Sequence, residues 1–193
     1  MAGLDERGPE ADAVVAGCNE GANLGAYTLG RSGTVSAAVE ASFFDVPAVA
    51  TSMYVPGGDD WWKREFEGQD FAHAARATRF LVDEAVEAGV FDRADYLNVN
   101  APIADADRAP LRVTTPSTWY GLRAERNGDG RVGFSDPIWG RMNEDDVPDP
   151  VGTDRRAVVD GEVSVSPLSV PHTAEPDAGV DDLIDAYEAA VRS

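Results

Sequence analysis

Lysine is nearly absent: Lys63 is the only one among 193 residues, and arginine supplies the rest of 16 basic side chains set against 35 acidic ones. The formal net charge of -19 argues against a protein that holds nucleic acid by neutralising phosphates, and equally against one that lies on an anionic membrane surface. Cysteine is as scarce, and Cys18 alone excludes an intramolecular disulfide framework. No run approaches the ~20 apolar residues of a membrane span. The first residues show no basic segment followed by an apolar run, so a cytoplasmic location is the expectation. What the chain has in quantity is carboxylate, spread along a sequence that is still 43% hydrophobic. That balance describes a folded acidic protein rather than a disordered tail. It suits a salt-loaded cytoplasm, where screening removes the self-repulsion of such a charge.

The hydrophobic pattern alternates between two periods. Residues 1–12 show neither and read as a loose leader or a piece of an interrupted element; then Ala13 to Gly17 and Pro47 to Ser52 are short apolar runs, as buried strands are, and Tyr96 to Asn100 before Pro102 is a third. Between them, Ser32-Gly33-Thr34 opens a helix to about Phe44, and a second helix runs from about Phe71 to Ala88 with Gly89 as its stop. Strand, helix, strand, helix, strand predicts an α/β fold with a parallel sheet. After Pro102 the spacing changes: Leu111 to Thr115 reads as a strand, Thr118 to Asp136 as a hairpin turning at Asn127-Gly128-Asp129-Gly130, and Glu162 to Leu168 as a half-exposed strand. Together these predict an antiparallel excursion from the main sheet. Residues 177–191 close the chain with a helical repeat of Val180, Leu183, Ile184, Tyr187 and Val191.

In an open parallel sheet, ligands bind outside the carboxyl ends of the strands, where Asn19, Glu20 and Asn23 would emerge. Two readings of the asparagines stay open. They satisfy backbone groups in a sharp turn, with Gly21 and Gly25 supplying permissive dihedrals, or an amide oxygen coordinates a hard cation such as magnesium or manganese. Ser32-Gly33-Thr34 is likewise either an ordinary helix cap or a phosphate site, because free amides and the helix dipole converge at a helix start. Asp59-Asp60 follows Gly57-Gly58 and reads as a solvated loop; His73 and His172 read as structural, and Cys18 as a small buried filler.

The segment Val14-Val15-Ala16-Gly17-Cys18-Asn19-Glu20-Gly21-Ala22-Asn23-Leu24-Gly25, followed by Ser32-Gly33-Thr34-Val35 and Pro47-Ala48-Val49-Ala50, resembles the survival protein SurE family of metal-dependent nucleotidases. Leu97-Asn98-Val99-Asn100-Ala101-Pro102, Arg112-Val113-Thr114, Gly152-Thr153-Asp154 and Val163 to Leu168 follow in that family's order. The resemblance implies a Rossmann-like three-layer α/β/α parallel sheet with an antiparallel hairpin excursion, over residues 13–173, and a C-terminal helix over 174–193. It implies hydrolysis of nucleoside 5'- or 3'-monophosphates to nucleoside and phosphate by water activated on a divalent cation, Mg2+ or Mn2+, in a homodimer or homotetramer. Asn19 matches the family's amide metal ligand, and Asn23, Ser32, Gly33 and Thr34 match its phosphate-contacting segment.

The family also carries an upstream βα region with two adjacent metal-binding aspartates and a serine, for which this sequence shows no counterpart. The expected sheet therefore lacks its N-terminal strands. The alternative function is a catalytically inactive remnant that binds phosphate or nucleotide, or that oligomerises.

Overall fold

The computed structural model describes residues 10–57, 63–103, 108–170 and Ile184. Asp59, Asp60, His172 and all but one residue of the expected C-terminal helix lie outside these.

The main sheet has five strands in the order β1-β2-β3-β7-β4. Here β1 is Val14–Glu20, β2 Ala48–Tyr54, β3 Tyr96–Pro102, β4 Leu111–Val113 and β7 Val163–Leu168. The first three pair in parallel, linked by α1 (Ala26–Leu29) and α2 (Gly33–Ser42) and then by α3 (Ala72–Glu87). The sheet is mixed rather than wholly parallel, because β7 runs antiparallel to β3 while β4 runs parallel to β7. The excursion is correspondingly smaller than the sequence predicts. Only β5 (Arg123–Arg126) and β6 (Val132–Ser135) form a separate hairpin, and β4 and β7 complete the main sheet.

Strand periodicity sorts the core into two layers. Val49, Leu97, Val99, Val163 and Val165 face α3, where they pack on Ala74, Ala77 and Ala85. The alternate residues Ala48, Ala50 and Tyr96 pack on Val35, Ala38 and Ala41 of α2. Small residues at these contacts let helix and sheet approach closely. On the α2 side, α4 (Ile138–Asn143) and α5 (Asp154–Val159) add a third cluster in which Ile138, Met142 and Val158 meet Leu24 and Tyr54.

Two strands differ from expectation for physical reasons. Glu162 to Leu168 alternates Val with Ser as a half-exposed strand would, yet Val163, Ser164, Val165 and Ser166 are all buried. The Thr114 hydroxyl lies 2.8 Å from both the Ser164 and Ser166 hydroxyls, so these serines are satisfied inside the protein. The first strand runs three residues past Gly17, through Cys18-Asn19-Glu20, and has an irregular register: Ala16 pairs with Ala50, but Asn19 pairs with Ser52. Two residues of β1, Gly17 and Cys18, thus stand against the single Thr51. Among the described residues β1 is bonded only to β2, which leaves Val15 at the sheet edge half exposed. No helix among the described residues is long and apolar enough to cross a membrane.

Candidate functional site

The extra residue in β1 decides where Asn19 points. Side chains alternate between faces along a strand, so one inserted residue turns everything beyond it to the other face. Asn19 is thereby brought level with Ser52, on the face that also carries Tyr54. There it lines a cavity of about 290 Å³ at the carboxyl ends of β1 and β2, with Glu20, Tyr54, Trp139 and Asn143. Its Nδ2 donates to the Gly21 carbonyl, closing the turn that follows the strand, and Gly21 takes a φ of 126°.

Asn23 lies beneath this surface. Its N–H donates to Asn100 Oδ1 at 2.7 Å and its Nδ2 to Ser52 Oγ at 2.7 Å. Its carbonyl accepts from Asn98 Nδ2 at 3.0 Å and Asn100 Nδ2 at 3.2 Å. All four residues are buried, so in low dielectric these bonds fix the path of the loop strongly. The far end of the loop is held by Asp154. One carboxylate oxygen accepts the Gly25 N–H at 2.6 Å, and the other accepts the Ser117 N–H at 2.9 Å and the Arg155 N–H at 2.8 Å. Burial pushes the Asp154 carboxyl up from its ordinary range, and these three donors, with Arg155, oppose that shift. The Arg155 guanidinium donates to Ser117 Oγ and the Trp119 carbonyl, 3.8 Å from the buried Asp149 carboxylate.

Ser32 caps α2, its Oγ accepting the Val35 N–H at 3.1 Å. Gly33 is exposed with open space where a Cβ would stand, and Thr34 is half buried beside it. The structure brings Asn19 to the cavity, whereas Asn23, Ser32, Gly33 and Thr34 are not among its lining residues. Replacing Ser32 with Ala removes the cap and is expected to lower stability by about 1 kcal/mol in urea unfolding, with Ser32→Thr recovering most of it. His73 is buried on α3, with Nδ1 3.3 Å from an Arg76 nitrogen. Burial, with the Glu20 carboxylate adding to it, pushes the Cys18 thiol up to about 11, so at neutral pH it is protonated and a poor nucleophile.

The sequence reading missed Ser52, Asn98, Asn100, Trp139, Asp154 and Arg155. Asn98 and Asn100 did leave a signal, since two asparagines at alternate positions of an otherwise apolar strand must share one buried face and find partners there.

A model of the family described as "Survival protein SurE" matches residues 1–121. The chain belongs to the SurE family. It is 57% identical over 189 residues to the 5'-nucleotidase SurE of Haloquadratum walsbyi, covering 97% of this chain and 71% of that protein. For the 5'-nucleotidase SurE of Natronomonas pharaonis the identity is 56%, over 97% of this chain and 74% of that one. The crystal structure of the SurE protein from Aquifex aeolicus superposes with a TM-score of 0.66 at 27% identity, covering 93% of this chain and 66% of that one. Membership classes the chain as a SurE-type phosphoric monoester hydrolase.

SurE proteins are generally dependent on a divalent metal. Among the described residues no three His, Cys, Asp or Glu side chains converge as a metal site. The cavity offers the Asn19 amide and the Glu20 carboxylate, a donor set with too little negative charge for a tight hard-cation site. The described residues therefore do not by themselves fit the divalent ion of the family.

Proposed function

We propose that this chain binds nucleoside 5'- or 3'-monophosphates and serves their hydrolysis to nucleoside and phosphate, with residues 13–173 as the nucleotidase domain. The observation that supports this most is the pinned segment from Asn19 to Gly25. The bulge in β1 turns Asn19 to the cavity, and two buried networks, around Asn23 and Asp154, hold the turn behind it.

In this reading Asn19 is an amide ligand toward Mg2+ or Mn2+. The first turn of α2, at Gly33 and Thr34, presents its N–H groups to the phosphate, Ser32 capping that turn and Asn23 fixing the loop before it. A homodimer or homotetramer is part of the same proposal, and Val132 and Phe134 of the β5-β6 hairpin, both more than half exposed, offer apolar surface for it.

The lack of converging acidic side chains among the described residues favours a second reading, in which nucleotide is bound without turnover. Phosphate release from AMP and 3'-AMP in concentrated KCl, with Mg2+ or Mn2+ and with chelator, separates the two. The hydrolase reading expects a metal-dependent rate that Asn19→Ala lowers by roughly tenfold or more, as loss of a metal contact would. AMP binding with no phosphate released supports the second reading instead.

A further inference from the structure

The cavity beside Asn19 has walls better suited to a flat neutral ring than to a phosphate. Tyr54 and Val55 line it and are buried, and Trp139 lines it with 40% of its surface exposed. Among the described lining residues the charged side chain is Glu20, which is negative and so disfavours an anion inside.

The walls are also fixed in place. Trp139 stands on α4, which is anchored by the buried Ile138 and Met142. Asn143, at the end of that helix, accepts the Tyr54 hydroxyl at 3.1 Å and the Gly57 N–H at 3.0 Å, and donates back to the Gly57 carbonyl. The helix and the exit of β2 are thereby joined before any ligand arrives, which lowers the ordering cost of binding.

The same bonds occupy Asn143 Oδ1 and the Tyr54 O–H, so the side of the cavity formed by Tyr54, Val55 and Trp139 offers mainly an apolar slot and an indole face, the polar groups of Asn19 and Glu20 lying on the other side. The cavity's volume, about 290 Å³, is at the small end of ligand pockets, which begin near ~300 Å³.

Resting on the nucleotide reading above, we propose that this cavity is the nucleoside subsite, in which the base stacks on Trp139 while the phosphate stays outside, on the Asn19 side. With Tyr54 and Asn143 already engaged, the slot reads the flat face of a base more than its edge, so it tolerates different bases.

The test is the affinity of adenosine, measured by calorimetry in concentrated KCl without metal. Adenosine is expected to bind the wild type, with guanosine and cytidine within about tenfold of it. Trp139→Ala should weaken adenosine by about tenfold or more, Trp139→Phe should recover most of the loss, and Phe80→Ala, an exposed aromatic on α3, should change nothing. Circular dichroism shows whether each variant is folded, and Trp139→Phe keeps the comparison meaningful if Trp139→Ala is not. Equal adenosine affinity in the wild type and Trp139→Ala, or no adenosine binding by the wild type, overturns the subsite. Trp139-dependent adenosine binding without any nucleotide hydrolysis would leave the subsite standing and remove the hydrolase reading. AMP hydrolysis with a KM unchanged in Trp139→Ala would do the reverse.

Discussion

Replacing Asp154 with Ala is expected to cost about 3–5 kcal/mol of stability in urea unfolding, one of the two largest single-residue effects expected in this protein. The carboxylate accepts from three backbone N–H groups, those of Gly25, Ser117 and Arg155, and all three residues are buried. Truncation to a methyl leaves three donors that water cannot easily reach and removes negative charge beside the buried Arg155. Asp154→Asn separates the two ends of this network. Its amide oxygen can keep the Ser117 and Arg155 bonds, but its NH2 must then face the Gly25 N–H, now 2.6 Å from the carboxylate. Because burial raises the Asp154 carboxyl, the neutral amide also sheds part of the cost of burying a charge. The Asn variant should therefore lose only about 1–2 kcal/mol, concentrated at the Gly25 end of the loop. Hydrogen exchange at the Gly25 amide should speed up while that of Ser117 stays slow. An Asp154→Ala protein within 1 kcal/mol of the wild type, or uniform exchange changes in Asp154→Asn, would sink this account.

This network also marks where reading the sequence stops being enough. The strands β2 and β3 were legible because they are buried on both faces and so read as short apolar runs, and α2 and α3 because each buries one stripe at helical spacing. Asn19 was legible as a candidate because strand ends in such sheets collect ligands, and it does line the cavity there. The strand beneath it was not, since Cys18-Asn19-Glu20 is polar enough to pass for a loop and continues as strand only by pairing with β2. The six-residue helices α4 and α5 are too short to show a period, and tertiary anchors fix them in place. Asp154 lies 129 residues from Gly25, and no local pattern announces a contact over that distance. The same holds for the cavity, where Asn19 meets Trp139 only because α4 folds back beside the end of β2.

Substituting Gly17 with Ala is expected to be as costly as losing Asp154, at about 3–5 kcal/mol, and to disturb the site more directly. Gly17 has a φ of 117°, where an L side chain is strained, and a Cβ there would stand 2.2 Å from the Thr51 carbonyl oxygen. That oxygen belongs to the neighbouring strand and cannot rotate away as a flexible side chain could. Relief requires β1 to move off β2 or to lose its extra residue. Losing the bulge would return Asn19 to the α3 face of the sheet, away from Tyr54 and the cavity. Gly30 is the control: its φ is -70°, nothing lies within 4 Å of an added Cβ, and Gly30→Ala should stay within about 0.5 kcal/mol of the wild type. In urea unfolding the two glycine variants should therefore differ by several kcal/mol. Well below its unfolding transition, Gly17→Ala should bind AMP at least tenfold more weakly than the wild type, because the turn that carries Asn19 starts from a displaced strand. Equal stability of the two variants would mean that the β1 backbone can relax around a methyl group. The bulge would then not be what aims Asn19 at the cavity.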